Sequence, residues 1–578
     1  MISFWMVPVR THSTRRKRNR REIKIWLVVN ERVDVMPAME KTFMIRRAAF
    51  PVLLSWFLAT APLQAAETGP SSSASVTPQR GGTVTFATAS QPTALVSFLE
   101  TKTDDRDIST KITEGLLRYD PHFVAQPLLA QSWEISADGL RYTFHLRPNV
   151  RFSDGEALTS EDVKFSILQQ KQRGPRGRIT FANVTTVETP DPLTAVLVLT
   201  KPAPYLIKAL SSAETPIVPR HRYPNPDDPL SSPNTNAPIG TGPYILVNWK
   251  RGDCIELRRN PHYWRTGHPY LDRIIIKIIP DASAIATTLE SGGADIAENV
   301  ALPDLDRLGK NPALRVDSTT DAYLNNASFL EFNVENPILA KPEVRHAIAQ
   351  AVNRDLIVKV VLFGRAQRID SPVPKVLQSY YDDSTFHYPF DIDAANRLLD
   401  QAGYPRKANG ERLSLRITYI PGINFAHTAD FLRSSLKRIG IAATIIGGDL
   451  PTYLKHVYTT RDFDLNINGL GRLYDPSVGV QRIYWSDGVP HPLIWVNASH
   501  CQNDEVDRLF SEAAEAVDDN KRAANFREIQ RIVGSDLPVL PLASVPTLTV
   551  SRTYLHDWVN SVDVLSGDAS DAWIDAKK

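Results

Sequence analysis

Two carboxylate pairs, Asp227-Asp228 and Asp382-Asp383, come nearest to a general acid set beside a general base. Both lie in polar stretches, where solvated loops are the expected setting. Gly240-Thr241-Gly242 has the glycine spacing of a phosphate-cradling turn, but Pro243 follows at once and would spoil it, which leaves a tight turn. The thirteen histidines are dispersed, and pairs such as His145 and His221 lack ligand spacing, so no metal site is expected. There is no His-Glu-x-x-His, Gly-x-Ser-x-Gly, Gly-x4-Gly-Lys-Ser/Thr or calcium-loop pattern. Cys254 and Cys501 are the two cysteines and make no Cys-x-x-Cys. An enzyme is not expected, nor a cofactor.

The frame these residues occupy is a chain of 578 residues, 42% hydrophobic and 22% charged, enough for two or three domains with real cores. That composition excludes a disordered chain, a polytopic membrane protein and a disulfide-stapled scaffold. The net charge of +2 hides an asymmetry. Residues 1–66 carry twelve Lys or Arg against four Asp or Glu, which leaves 54 basic against 60 acidic side chains in 67–578. With no basic stripe in the body, no nucleic-acid partner is expected.

From Met39, Lys41, Arg46 and Arg47 precede an apolar run, Ala48 to Ala61, and then Pro62 and the small residues Ala65 and Ala66. This is the layout of a secretory signal peptide over 39–65, cleaved after Ala65; a retained anchor is the alternative, though a membrane span needs roughly 20 apolar residues. Arg46-Arg47 as a twin-arginine signal ranks second. Residues 1–38 are read as an upstream gene-model artefact, with translation starting at Met36, Met39 or Met44. Because no cysteine follows the apolar run closely, a lipoprotein is not expected; the mature protein should be freely soluble in the periplasm. Residues 66–80 read as a flexible linker.

Order is expected from Gly82, with a strand over Thr83 to Ala89. Trp133 to Ile135 and Leu140 to Leu146 flank Asp138-Gly139, a hairpin signal, and Thr159 with Asp162 forms a capping box opening a helix to about Gln169. Strands are expected at Phe329 to Val334, Leu413 to Ile420, Ala442 to Ile446 and Phe463 to Ile467. Helices are expected over Pro342 to Leu362, Ile392 to Ala402, Ala429 to Ile439, Pro451 to Thr459, Asp504 to Val517 and Lys521 to Ile532. The alternation implies an α/β domain with a largely parallel sheet.

Several of these segments resemble the family of periplasmic solute-binding proteins that serve dipeptide, oligopeptide and nickel ABC importers. The match runs through LAQSWEISADGLRYTFHLRPNVRFSDGEALTSEDVKF from Leu129, PIGTGPYIL from Pro238, RRNPHYW from Arg258 and GGADIAENV from Gly292. It continues with LEFNVENP from Leu330, PEVRHAIAQAVNRDLI from Pro342, DAANRLLDQAGYP from Asp393 and the two terminal helices, covering roughly 81–578. The resemblance implies an α/β, type II periplasmic binding protein clamshell: lobe I over 81–320, with an extra subdomain at about 118–237, lobe II over 321–542, and 543–578 returning to lobe I. It implies ligand held between lobes that close about a two-strand hinge, a cognate inner-membrane ABC permease as partner, and a monomer. With one cysteine in each lobe, a bridge would hamper the hinge, so two separate thiols are expected.

After Phe463 to Ile467 comes NGLGRLYDPSVGVQRIYWSD, Asn468 to Asp487. Peptide-binding relatives resemble Gly-Trp-x-x-Asp-x-x-Asp/Glu-Pro here, the earlier Asp pairing with the peptide's amino terminus. Matched on Asp475-Pro476, that position is Arg472, and the tryptophan falls on Gly469. The reversed charge offers a bidentate fork to a carboxylate, a phosphate or sugar hydroxyls, or else pairs internally with Asp475 or an acid of lobe I. Gly469, Leu470 and Gly471 could pair by backbone with an extended ligand. Tyr474 and Trp485 either stack on ligand or pack in the core. Thr101 to Thr103 match where relatives present lobe I backbone to ligand. The function expected is binding of a peptide or peptide-like solute for import. Alternatives are an opine, sugar derivative or other anionic solute held by Arg472, or a signalling protein reusing the fold.

Overall fold

The computed structural model describes residues 77–575 except 100–101, 299, 320–325, 487–493, 545 and 560. The leader, the cleavage region and most of the 66–80 linker therefore lie outside the described residues, as does Thr101.

Thr83–Thr88 turns Val84 and Phe86 into the core and runs through the middle of a seven-stranded sheet. Arg273–Ile278 and Ile296–Ala297 flank it in parallel, Cys254–Arg259 and Tyr244–Lys250 extend one edge, and Thr547–Arg552 with Leu314–Thr319 form the other. This is lobe I. One face packs the helix Thr103–Ile112 and the C-terminal residues Leu555, Trp558 and Leu565; the opposite face packs the helix Ala282–Glu290.

An antiparallel four-stranded sheet, in the order Ala130–Ile135, Arg141–Leu146, Thr194–Leu199, Val184–Asp191, forms a separate layer with its own core under the helix Ser160–Arg173. The Asp138-Gly139 hairpin is present, with Gly139 at a φ of 68° that its missing Cβ permits. So is the capping box: Thr159 N donates to Asp162 Oδ2 at 2.9 Å.

Lobe II is a six-stranded sheet: Gln367–Arg368, Val539–Ser544, Asn326–Phe332, Leu465–Gly471, Leu413–Tyr419, Ile441–Ile446. It is mixed rather than largely parallel. Leu413–Tyr419 is parallel to both neighbours, but Asn326–Phe332, the first strand of the lobe, and Val539–Ser544, its last, pair antiparallel. The segment 342–362 is mostly helical, as expected, with one interruption: Pro342–Ala351 ends at Val352, and Asn353 caps the next helical stretch by accepting from Leu356 N at 2.9 Å. Cys254 lies in the lobe I sheet and Cys501 in the lobe II core, both as free thiols. Among the described residues no helix is long and apolar enough to cross a membrane, and no three His, Cys, Asp or Glu converge as a metal site.

Candidate functional site

The central strand of lobe II runs through Gly471, so Gly469, Leu470 and Gly471 are strand, paired with Ser328, Ala327 and Asn326, and the loop begins at Arg472. Leu413–Tyr419 accompanies this strand only at Leu465 to Ile467; past that point the ladder has one side. Phe425 lies over Gly469: a Cβ there would sit 2.7 Å from the ring's Cζ, so glycine is what lets the ring cover the backbone. Leu470 is buried in the lobe II core.

Arg472 is 3% exposed, and its Nη1 lies 3.4 Å from the carbonyls of Ser371 and Val373. Burial lowers its guanidinium to about 9, opposed by Tyr381. Leu473, at a φ of 58°, turns the chain so that Leu473, Tyr474 and Val478 leave lobe II and join the core of the lobe I subdomain. Tyr474 is fully buried, its hydroxyl 3.5 Å from Thr180 Oγ1.

Asp475 caps the short helix Pro476–Gly479 by accepting from Ser477 N at 2.9 Å. Its carboxylate is gripped by Arg522, Nη1 to Oδ2 at 2.9 Å and Nη2 to Oδ1 at 2.6 Å, while Lys208 of the subdomain stands 3.9 Å away. Burial would raise this carboxyl, but Arg522 and Lys208 hold it below the usual carboxylate range. Lys208 also sits over the Tyr380 ring, and Lys201 meets Glu515 at 2.6 Å, so lobe II and the subdomain touch along a continuous seam.

Arg482 donates from Nη2 to Gly471 O at 2.7 Å and from Nε to Gly479 O at 3.2 Å, tying both ends of the loop together. Burial lowers it to about 10, with Arg176 of the subdomain adding to the drop and Tyr458, Glu331 and Glu214 opposing it. Trp485 is half-buried, and its carbonyl accepts from Asn497 Nδ2 at 3.0 Å.

Behind the strand, Glu331 is buried among amides and phenols. Its Oε2 accepts from Asn466 Nδ2 at 2.6 Å and Asn468 Nδ2 at 3.2 Å, and those amides also reach Tyr453 and Tyr458. Burial lifts Glu331 to about 7, with the two amides holding it back.

On the lobe I side, Thr103 opens the helix Thr103–Ile112, exposed, its Oγ1 accepting from Arg106 Nη2 at 3.3 Å. Nearby, Asp107, Lys111 and Glu298 are buried together. Lys111 donates to the carbonyls of Leu565 and Gly567 and falls to about 8 through burial, while Glu298, held by Thr88 Oγ1 at 2.8 Å, is pushed well up by burial and by Asp107.

The structure thus gathers Gly469, Leu470, Gly471, Arg472 and Tyr474 at one strand end and its seam with the subdomain. Thr103 stands on lobe I, on a different element. Arg522, Arg482 and Glu331 were not singled out from sequence. Glu331 had a signal, an acid inside the apolar strand run Phe329 to Phe332, and Arg482 lies in the same loop as Arg472; Arg522 sits on an ordinary charged helix and had none.

Residues 124–490 match the family described as bacterial extracellular solute-binding proteins, family 5 middle. The chain is similar to the heme-binding protein A of Haemophilus influenzae, 27% identical across 72% of this chain and 78% of that protein. It is also similar to the di/tripeptide-binding protein 1 of Pseudomonas aeruginosa, 27% identical across 75% and 83%. Among solved structures, the binding protein AgaA of A. tumefaciens R10 in complex with agropinic acid superposes with a TM-score of 0.73 at 26% identity, covering 86% of this chain and 99% of that one.

Proposed function

The chain belongs to the bacterial extracellular solute-binding proteins of family 5, and from that premise we propose that this ABC-transporter substrate-binding protein takes a peptide or peptide-like solute at the end of the strand Leu465–Gly471. The carrying observation is the strand end itself. Past Ile467 the ladder is one-sided, and Gly469 to Gly471 would offer an extended ligand those backbone groups that Asn468 Oδ1 (on Gly469 N) and Arg482 (on Gly471 O) do not hold, as in strand addition. The P. aeruginosa relative binds di- and tripeptides, and it favours this reading.

Arg472 would meet the carboxylate of that ligand. What supports this role is its place: Arg472 follows directly on the strand end, where its Nη1 lies against the carbonyls of Ser371 and Val373. Tyr474 serves the seam rather than the ligand in this reading, because its ring is packed in the subdomain core. The same arginine supports a second reading, a solute bearing an acid but no peptide backbone, in line with the agropinic acid held by AgaA. The protein would be exported by the 39–65 signal peptide, act as a soluble monomer without a lipid anchor or nucleic-acid partner, catalyse no reaction, and deliver its solute to an inner-membrane permease.

Thermal unfolding of residues 66–578 against di- and tripeptides, opines and sugar acids tests this. A cognate ligand at a hundredfold excess over its Kd stabilises by about 2.7 kcal/mol. Peptides should raise the midpoint, and Arg472→Ala should remove most of the rise. A rise with peptides that survives Arg472→Ala overturns the carboxylate role; a rise only with non-peptide acids establishes the second reading.

A further inference from the structure

Lobe I contains a cavity of about 270 Å³, built from its own residues alone and apart from the seam with lobe II. Its floor is formed by the edge strands Leu314–Thr319 and Thr547–Arg552, where Arg315 pairs with Ser551 and Asp317 with Thr549 across the ladder. Its wall is the segment His556 to Val559, with Ile296 from the neighbouring strand. The wall is rigid: His556 stacks on Trp573 with centroids 4.0 Å apart and bonds Asp575, and Trp558 is buried against Phe86.

The polar groups at this cavity have spare valences. Arg315 is tied at Nε to Asp317 Oδ2 (2.7 Å), which leaves the two terminal nitrogens of its fork for a carboxylate. The hydroxyl of Ser551, a residue only 2% exposed, has no hydrogen-bond partner among the described residues, an unusual state for a buried donor. Asp557 accepts from Trp573 Nε1 through Oδ2, which leaves Oδ1 for a cation, as Asp317 leaves its own Oδ1. Ile296, Trp558 and Val559 add an apolar side.

We propose that this cavity binds a free aliphatic α-amino acid, its carboxylate on Arg315 and Ser551, its ammonium on Asp317 and Asp557, and its side chain against Ile296, Trp558 and Val559. The two floor strands are those through which the chain passes to and from lobe II, so occupancy here acts where the lobes are joined. The proposal does not rest on the ligand read for the strand end, because no residue is shared.

The test is calorimetric titration of the purified protein with L-leucine, L-leucinamide and 4-methylpentanoate. Leucine should bind at one site, and the analogues lacking the carboxylate or the ammonium should each bind at least about tenfold more weakly, the loss expected when a charge-assisted contact is removed. Arg315→Met and Ser551→Val should weaken leucine similarly, while Arg472→Ala leaves it unchanged. Arg315 is half exposed, so its variant is expected to fold, and an unchanged melting temperature checks this. Absence of leucine binding at 10 mM (about the weakest range worth assigning to a site), binding unaffected by Arg315→Met, or an analogue that binds as well as leucine would overturn the proposal.

Discussion

Replacing Glu331 by glutamine should alter how stability depends on pH more than it alters stability itself. Burial lifts the Glu331 carboxyl from 4.5 to about 7. A folded-state value above the unfolded one means that the contribution is fully present below about 4.5 and is lost as pH rises through about 7. Integrating the proton difference between these two values from pH 5 to pH 8 gives about 2.5 kcal/mol lost over that interval. The side chain in Glu331→Gln would not titrate, and its amide oxygen can still accept from Asn466 and Asn468. Glu114, also lifted to about 7, titrates in both proteins and cancels from the difference. The stability of the variant relative to the parent should therefore climb by about 2.5 kcal/mol between pH 5 and pH 8. At roughly 1 kcal/mol per degree for a chain of this size, that is about 2–3 °C in relative Tm if both lobes melt together, and more if lobe II melts alone. Parallel calorimetric scans of the two proteins at pH 5, 6, 7 and 8 measure it. A difference that stays flat across the series would show that Glu331 is ionised throughout, and would refute the claim that its amide and phenol neighbours fail to offset burial.

The Asp475–Arg522 pair is fully buried, so Asp475→Asn should destabilise by about 3–5 kcal/mol in urea unfolding by leaving Arg522 uncompensated, and Arg522→Met combined with Asp475→Asn should add far less than it does alone. Gly469→Ala should cost about 1–3 kcal/mol because its Cβ meets Phe425, and adding Phe425→Leu should restore most of the loss; no restoration would move the cause away from that ring. The Lys201–Glu515 pair spans the same seam but is solvent-exposed, so Glu515→Gln should change stability by less than about 0.5 kcal/mol, a null result that calorimetry can check.

The parts of this fold that were legible in the sequence are those whose signals are local. The Asp138-Gly139 turn and the Thr159–Asp162 box announce themselves because a turn needs a positive φ and a helix start needs its amides capped within four residues. The sheet direction in lobe II was not legible in this way. Asn326–Phe332 and Val539–Ser544 look like any other apolar strand, and their antiparallel setting follows from where the chain enters and leaves the lobe, a fact that no window of residues contains. The extension of the central strand through Gly471 was missed for the opposite reason: two glycines read as loop, whereas here one of them is a packing requirement imposed by Phe425, more than forty residues upstream.

The same distinction governs the candidate site. Arg472 stood out because a charge replaced its opposite at a motif position, while Tyr474 and Asp475 stand side by side in the same loop. The backbone separates them. The left-handed turn at Leu473 sends Tyr474 into the subdomain core, while Asp475 stays behind in the grip of Arg522. Arg472, Tyr474 and Asp475 thus have three tasks: a buried guanidinium at the strand end, an apolar plug across the seam, and a capped acid that fixes the turn beyond it. Because plug and acid lie in one turn, a change at Asp475 should loosen the seam as well as lobe II. Small-angle scattering of Asp475→Asn would then report a larger radius of gyration than that of Glu515→Gln, which touches the seam only at its wet edge; equal radii would show that the apolar plug holds the seam without help from the ion pair.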